Sequence, residues 1–315
     1  MAQLLKVTRA ARSLPGFRIG ARRAMSAVPE VPAPPAGIDG SQYEDYDSSA
    51  KTYDRFRQHV GMGVLRGALD GVAGRMGKAA GDLRLLDCGC GSGTYLEALK
   101  PYVGEVRGLE FNGGMIAKAT EKLGDGVVTQ GSVCENPFKS ASFDACITTQ
   151  VVHHLDPEDG EPGYPNVALA LNEAFRVTRP GGCYAINTTS PRQHVDGFWW
   201  APIVPDAIAN AASRMPPLEF LEEALRAAGY ETVERHVPPE ALMPDDLYLN
   251  IEGPLDDLYR RADSSWTLAT DEELEKGLAS HRARLADGTA RAWLEEREAL
   301  RAAVGQTTTL IAVKG

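Results

Sequence analysis

Leu83-Arg84-Leu85-Leu86-Asp87-Cys88-Gly89-Cys90-Gly91-Ser92-Gly93-Thr94 is the stretch whose reading decides the fold. A short apolar run stops at an acid and enters three glycines at alternate positions. This pattern predicts a buried strand, a tight turn and a helix opening near Thr94. Glycines at 89, 91 and 93 let the backbone pass close to a ligand, because no Cβ intrudes. The start of the helix adds N–H donors that have no partner within it. The next strand ends at Glu110, 17 residues beyond Gly93, where a carboxylate can accept the hydroxyls of a ribose. A dinucleotide fingerprint needs Gly-x-Gly-x-x-Gly, and Thr94 stands where its last glycine belongs. Asp87 also suits an ammonium group and repels a pyrophosphate. Charge therefore points to a cationic nucleoside, S-adenosylmethionine (SAM), over a nicotinamide dinucleotide.

Outward from this loop the chain alternates. Glu105–Glu110 reads as a second strand and Gly113–Leu123 as a helix. Gly126–Gln130, Phe143–Thr149 and Cys183–Thr188 read as three more strands, with a helix over about 166–178 before the last. Leu218–Ala228 is a further helix, Tyr230–Val237 a sixth strand and Thr307–Val313 a seventh. Strands alternating with helices imply right-handed crossovers and a largely parallel sheet covered on both faces. A helical pattern over Tyr43–Lys78 precedes this core. Ser190–Pro217, with five prolines around Phe198-Trp199-Trp200, and the acidic, helix-rich Pro238–Gln306 interrupt it. Insertions of this kind lie at strand ends, where ligands also bind. The expected organisation is a leader and Pro-rich linker over 1–37, helical cap over 38–82, core over 83–189, cap insertion over 190–217, core over 218–237, cap insertion over 238–306 and last strand over 307–315.

The segment from about 83 to 189 resembles the class I SAM-dependent methyltransferases, in the small-molecule branch called the methyltransferase-11 type. Leu85–Thr94 matches that family's first motif, and Gly108-Leu109-Glu110 its second-strand acid, which by resemblance binds the ribose. Phe143-Asp144 begins its fourth strand, and Arg179-Pro180-Gly181-Gly182 is its turn into the fifth. Gln130-Gly131-Ser132-Val133 stands where the family usually has Gly-Asp-Ala, so Ser132 departs from the pattern. The Val133 N–H and the flanks Phe111 and Met115 are then expected to hold the adenine. The resemblance implies a seven-stranded, Rossmann-like α/β sheet under a mainly helical cap. The expected cofactor residues are Asp87, Gly89, Cys90, Gly91, Gly93, Thr94, Glu110, Phe111, Met115, Ser132, Val133 and Gln150, with Tyr53 of the cap added because an aromatic face can hold the sulfonium.

Composition narrows the substrate. Residues 1–29 hold six bases and no acid, leaving 27 bases against 43 acids, a charge of −16, in the remainder. Such a surface repels polyphosphate and argues against nucleic acid. No run of 18 uncharged apolar residues is present, so no transmembrane segment is expected. The five cysteines are odd in number and fall in expected core segments, which indicates thiols rather than a disulfide framework. Cys88 and Cys90 have no second ligand pair at zinc spacing, so no metal is expected. The Arg- and Ala-rich, acid-free start has the composition of an organelle transit peptide. Its few hydroxyl residues favour a mitochondrion over a chloroplast. The alternative is a plain basic tail on a cytoplasmic protein.

His153 and His154 follow the fourth strand at the expected site edge, where one of them can act as general base; structural filling is the alternative. Tyr46, Asn187, Thr188 and Trp266 are candidates for substrate contact, Tyr46 and Trp266 because aromatic faces attract cations. Trp199, Trp200 and Trp293 read better as the cap's own core. Arg57 and Arg192 are weaker candidates for a carboxylate clamp. Methyl transfer from a sulfonium is an in-line displacement in which placement alone can contribute on the order of 7–11 kcal/mol, so a missing catalytic dyad is no objection. The expected reaction is methylation of a small, acid-bearing metabolite on O, N or S, with S-methylation of a thioether acid as a specific case. The rivals are a mitochondrial quinone methyltransferase and a methyltransferase-like assembly factor of a respiratory complex.

Overall fold

The computed structural model describes residues 58–156 and 163–315. In chain order its elements are α1 (Met62–Met76), β1 (Arg84–Cys88), α2 (Thr94–Leu99), β2 (Glu105–Glu110), α3 (Gly113–Leu123), β3 (Val128–Gln130), β4 (Phe143–Thr149), α4 (Pro165–Val177), β5 (Thr178–Thr188), α5 (Pro191–Asp196), α6 (Pro205–Ser213), α7 (Leu218–Ala228), β6 (Thr232–His236), α8 (Asp245–Tyr248), α9 (Asp257–Arg260), α10 (Asp271–Asp287), α11 (Ala290–Val304) and β7 (Thr308–Val313). The seven strands form one sheet in the order β3-β2-β1-β4-β5-β7-β6. The first five are parallel, and β7 runs antiparallel between β5 and β6.

Burial on both faces explains why β1 and β4 read as continuous runs rather than alternations. On one face, Leu65, Leu69 and Val72 of α1 pack with Leu83, Leu85, Leu96, Leu99, Ala119 and Leu123. On the other, Val167, Leu171 and Ala174 of α4 and Leu221 and Leu225 of α7 cover Leu86, Cys146, Tyr184 and Leu310. At the amino edge, buried Asp144 accepts from Lys78 (2.7 Å), Arg179 (2.8 Å) and the Arg84 N–H (2.8 Å). Burial alone raises its pKa, but these donors outweigh burial and hold the carboxyl below its ordinary range.

The two proline-punctuated insertions join into one helical cap. Phe198, Trp199, Trp200, Tyr248, Tyr259, Trp266, Leu278 and Leu294 form its core together with Val60. Trp199 is fully buried and donates its indole N–H to the Tyr248 carbonyl (2.6 Å). Gln58 ties the chain before α1 to this cap, donating its amide to the carbonyls of Ala241 (2.6 Å) and Met243 (3.0 Å).

Some elements differ from the sequence reading. α1 opens only at Met62, after Gly61 in a left-handed conformation (φ 75°), so one helix does not run through from Tyr43. β3 begins two residues later than expected. β5 begins at Thr178 rather than Cys183, with a register shift against β4 between Phe143 and Ala145 that absorbs the Pro-Gly-Gly turn. Cys134 is half-buried rather than in the core, and all five cysteines are free thiols. The segment 1–37, Tyr46, Tyr53 and Arg57 lie outside the described residues.

Candidate active site

Five parallel strands bring their carboxyl ends to one edge. β2 lies on one side of β1 and β4 on the other, and an open α/β sheet binds ligands at this reversal of strand order. Asp87 stands there. Its side chain is 1% exposed, and neither carboxyl oxygen has a hydrogen-bond partner among the described residues. Burial, then the nearby charge of Glu110, pushes its pKa up to about 8. A buried ionised carboxylate without a partner is costly, so this site is built to receive a cation.

The loop beyond Asp87 is shaped by its glycines. Gly89 (φ 84°) passes so near Val151 that a Cβ would lie 2.7 Å from Val151 Cγ2. Gly91 (φ 52°) has no heavy atom within 4 Å of its Cβ direction: the backbone there faces open space that a ligand can fill. Glu110 fastens the loop to β2. Its Oε2 accepts from the Gly91 N–H (2.8 Å), and its Oε1 accepts from the N–H groups of Phe111 and Asn112 (both 2.9 Å). A carboxylate accepts about four hydrogen bonds, so room remains for about one ribose hydroxyl rather than two. The geometry fits SAM: Asp87 for its ammonium, the Gly89–Gly91 backbone for its methionine portion and Glu110 for its ribose.

The other expected cofactor residues divide by what their side chains already do. The Cys90 thiol is buried, which pushes its pKa far up, and it fills the space a Cβ on Gly108 would need (2.6 Å). Only its backbone is left for a ligand. Gly93 caps α2, and the Thr94 carbonyl meets His59 Nε2 (3.1 Å). Phe111, just before α3, is 45% exposed, and Met115 of α3 is buried. Ser132 Oγ accepts from the Cys134 N–H (3.2 Å), and Val133 packs into the sheet core. Gln150, in a left-handed conformation (φ 55°), donates its amide to Asn187 Oδ1 (3.0 Å) and its N–H to the Asn187 carbonyl (2.8 Å), tying the ends of β4 and β5 together.

On the acceptor side, His153 and His154 lie on a turn just past β4, half-buried, with ring centroids 4.0 Å apart. They follow Val151, whose side chain lies against Gly89. Asn187 and Trp266 correct the sequence reading. The Asn187 amide donates to Thr307 Oγ1 (3.1 Å) and Thr309 Oγ1 (2.9 Å), which leaves it bonded within the sheet rather than free for a substrate. Trp266 stacks on Trp200 (4.6 Å, 28°) inside the cap core. Thr188 is fully buried, with a hydroxyl that lacks a partner among the described residues. Arg192 is exposed and faces Asp196 (3.8 Å). No cluster of three metal-ligating side chains occurs among the described residues.

Sequence reasoning missed one constellation. His194, on α5, places Nε2 3.0 Å from Ser265 Oγ, and that hydroxyl donates to Asp263 Oδ1 (2.6 Å). The three residues are 71 positions apart at their widest, so no local motif announces them.

Residues 86–186, about a third of the chain, match the family model described as a methyltransferase domain. The demethylmenaquinone methyltransferase of Beutenbergia cavernae is 26% identical over 190 residues, covering 58% of this chain and 73% of that one. The malonyl-[acyl-carrier protein] O-methyltransferase of Erwinia billingiae is 28% identical over 181 residues, covering 54% and 67%. Among solved structures, a protein assigned as a methyltransferase of an antibiotic biosynthesis pathway in Anabaena variabilis superposes with a TM-score of 0.59 at 19% identity, covering 78% of this chain and 96% of that one. That last likeness is one of fold.

Proposed function

Because the chain carries a class I, SAM-dependent methyltransferase domain, we propose that it methylates a small metabolite held between the carboxyl edge of the sheet and the helical cap. The observation that carries this reading is Asp87: a buried carboxylate without a partner among the described residues, beside a glycine backbone that faces open space. In this reading Asp87 meets the ammonium of SAM, Glu110 takes a ribose hydroxyl, and Phe111 and Met115 flank the adenine. SAM supplies an activated methyl group. The protein's share is to orient the acceptor in line and exclude water, which can contribute on the order of 7–11 kcal/mol. In this reading the cap serves that end as a cover packed around its own tryptophan core.

A quinone acceptor is the second reading, favoured by the resemblance to a demethylmenaquinone methyltransferase. No helix among the described residues is long and apolar enough to cross a membrane. The assembly-factor reading requires no transfer at all. Calorimetric titration with SAM, followed by incubation with tritiated-methyl SAM and separate metabolite and lipid extracts, distinguishes the three. Label in a water-soluble acid supports the metabolite reading, label in a lipid-phase ring replaces it with the quinone reading, and SAM binding without any labelled small molecule refutes both. The composition of residues 1–29 makes a mitochondrial address part of the proposal, tested by the fluorescence location of a fusion carrying those residues.

A further inference from the structure

We propose that His194 is the general base that takes the proton of the methyl-accepting group, held for that role by Ser265 and Asp263. The inference rests on the methyl-transfer reading above and sharpens it: the acceptor atom carries a proton, so it is a hydroxyl or an N–H rather than a thioether.

Hydrogen-bond bookkeeping fixes the tautomer. Ser265 has one hydroxyl proton, and it goes to Asp263 Oδ1 (2.6 Å), an oxygen that also accepts from the Ser265 N–H (3.0 Å). Toward His194 the same Oγ can only accept, so His194 Nε2 carries the ring proton (3.0 Å). Nδ1 is therefore the basic nitrogen. It is buried and has no partner among the described residues. His194 is only 5% exposed, Ser265 1% and Asp263 8%, so the chain of three is shielded from bulk water along its length.

Its position in the chain suits the role. β5 ends at Thr188, and α5, capped by Ser190, opens at Pro191. His194 thus follows the carboxyl end of a strand that borders the crevice, and it lies where the cap begins. Its ring stands 5.6 Å from Phe198 of the cap core. Burial holds its pKa below the ordinary histidine value, and Asp263 works in the opposite direction, so the ring is neutral and ready to accept at pH 7. Among the other charged groups on or against α5, Arg192 faces Asp196 and Arg297 donates to the Val195 carbonyl (2.8 Å). Asp263 is the charge that acts on the ring.

The step balances without a further reagent. The acceptor oxygen or nitrogen forms a bond to the methyl carbon as the sulfur–methyl bond breaks, and that electron pair stays on sulfur. The acceptor's proton passes to Nδ1. The resulting imidazolium is stabilised through Nε2–H to Ser265 and on to the Asp263 carboxylate, and it later yields its proton to water.

The test uses the full chain labelled with ¹⁵N-histidine. Without SAM or acceptor, the spectrum of His194 should show Nε2 protonated and Nδ1 bare; the opposite tautomer overturns the proposal. In the tritium assay with metabolite extract, His194→Gln should lower the transfer rate at saturating SAM by about a hundredfold to ten-thousandfold, with SAM affinity by calorimetry unchanged within twofold. An unchanged rate, or a loss confined to KM, overturns it. Asp263→Asn, which keeps an acceptor oxygen but removes the charge, should move the acid limb of the rate profile to lower pH. An unmoved limb removes Asp263 from the relay. If the wild type labels no small molecule, the methyl-transfer reading fails, and with it a catalytic use of His194, while the tautomer still reports separately on the hydrogen-bond assignment.

Discussion

At Asp87, binding and stability pull against each other. In the folded chain its pKa is about 8, against 3.8 for the free residue. A raised acid keeps its proton in the folded state while the unfolded chain has already lost it. Stability is therefore full below pH 4 and falls as pH rises toward 8, at about 1.4 kcal/mol per pH unit for this group. Asp87→Asn should remove that loss. In urea unfolding the variant should exceed the wild type by more than 1 kcal/mol at pH 7.5 and show no advantage at pH 4, while its SAM affinity falls at least a hundredfold. A variant that is destabilised at pH 7.5, or that binds SAM normally, contradicts the role given to this carboxylate. The same ionisation should appear on binding: near pH 7, SAM should release a proton from Asp87, seen as a dependence of calorimetric heat on the buffer's ionisation enthalpy. A heat independent of buffer would mean the acid keeps its proton and does not meet the ammonium.

The loop after β1 separates the two uses of glycine. Gly91→Ala adds a Cβ in open space at φ 52°, at a cost of about 1 kcal/mol for the left-handed backbone. The variant should fold, but its SAM affinity should drop more than tenfold because the methyl group occupies the cradle. Gly89→Ala meets Val151 at 2.7 Å as well, and its thermal midpoint should fall further than that of Gly91→Ala. If Gly91→Ala binds SAM normally, the cofactor does not lie over this loop. Most of this element was legible beforehand, since Asp87, the alternate glycines and Glu110 form one short-range pattern set by backbone sterics. The seven strands were legible too, because a sheet buried on both faces writes apolar runs bounded by turns. What escaped was set by distant partners. Asn187 looked available at the end of β5, and only the pairing of β5 with β7 shows its amide bonded to Thr307 and Thr309. His194, Ser265 and Asp263 meet through the folding of the cap, which no periodicity encodes. The bonds from Glu110 to three backbone N–H groups depend on the loop's path, not on the spacing that drew attention to the residue.

Over the whole molecule, cap and sheet are interleaved along the chain. β5 runs into α5, α11 returns into β7, and β7 pairs with β5 at the centre of that half of the sheet. The cap therefore cannot leave without freeing both ends of its insertions from the sheet. Cross-ties reinforce the join: Gln193 of α5 donates to the Val304 carbonyl (2.9 Å) and accepts from Thr308 of β7 (3.2 Å), while Gln306 accepts from the Leu242 N–H (2.6 Å). The expected behaviour is one cooperative transition rather than a cap that melts first. The chain carries its own reporter, because all four tryptophans (Trp199, Trp200, Trp266 and Trp293) lie in the cap. Tryptophan fluorescence thus reads the cap, while far-ultraviolet circular dichroism reads the sheet and helices together. The two should give the same urea midpoint, and saturating SAM should raise both equally, since a ligand of the folded state stabilises everything that unfolds with it. Trp199→Ala empties a fully buried site and removes an indole bond to Tyr248, which should cost about 3–5 kcal/mol and lower both midpoints in step. A fluorescence transition that precedes the dichroic one, or a SAM shift confined to the dichroic signal, would show a cap that opens on its own and would replace the cover with a gate.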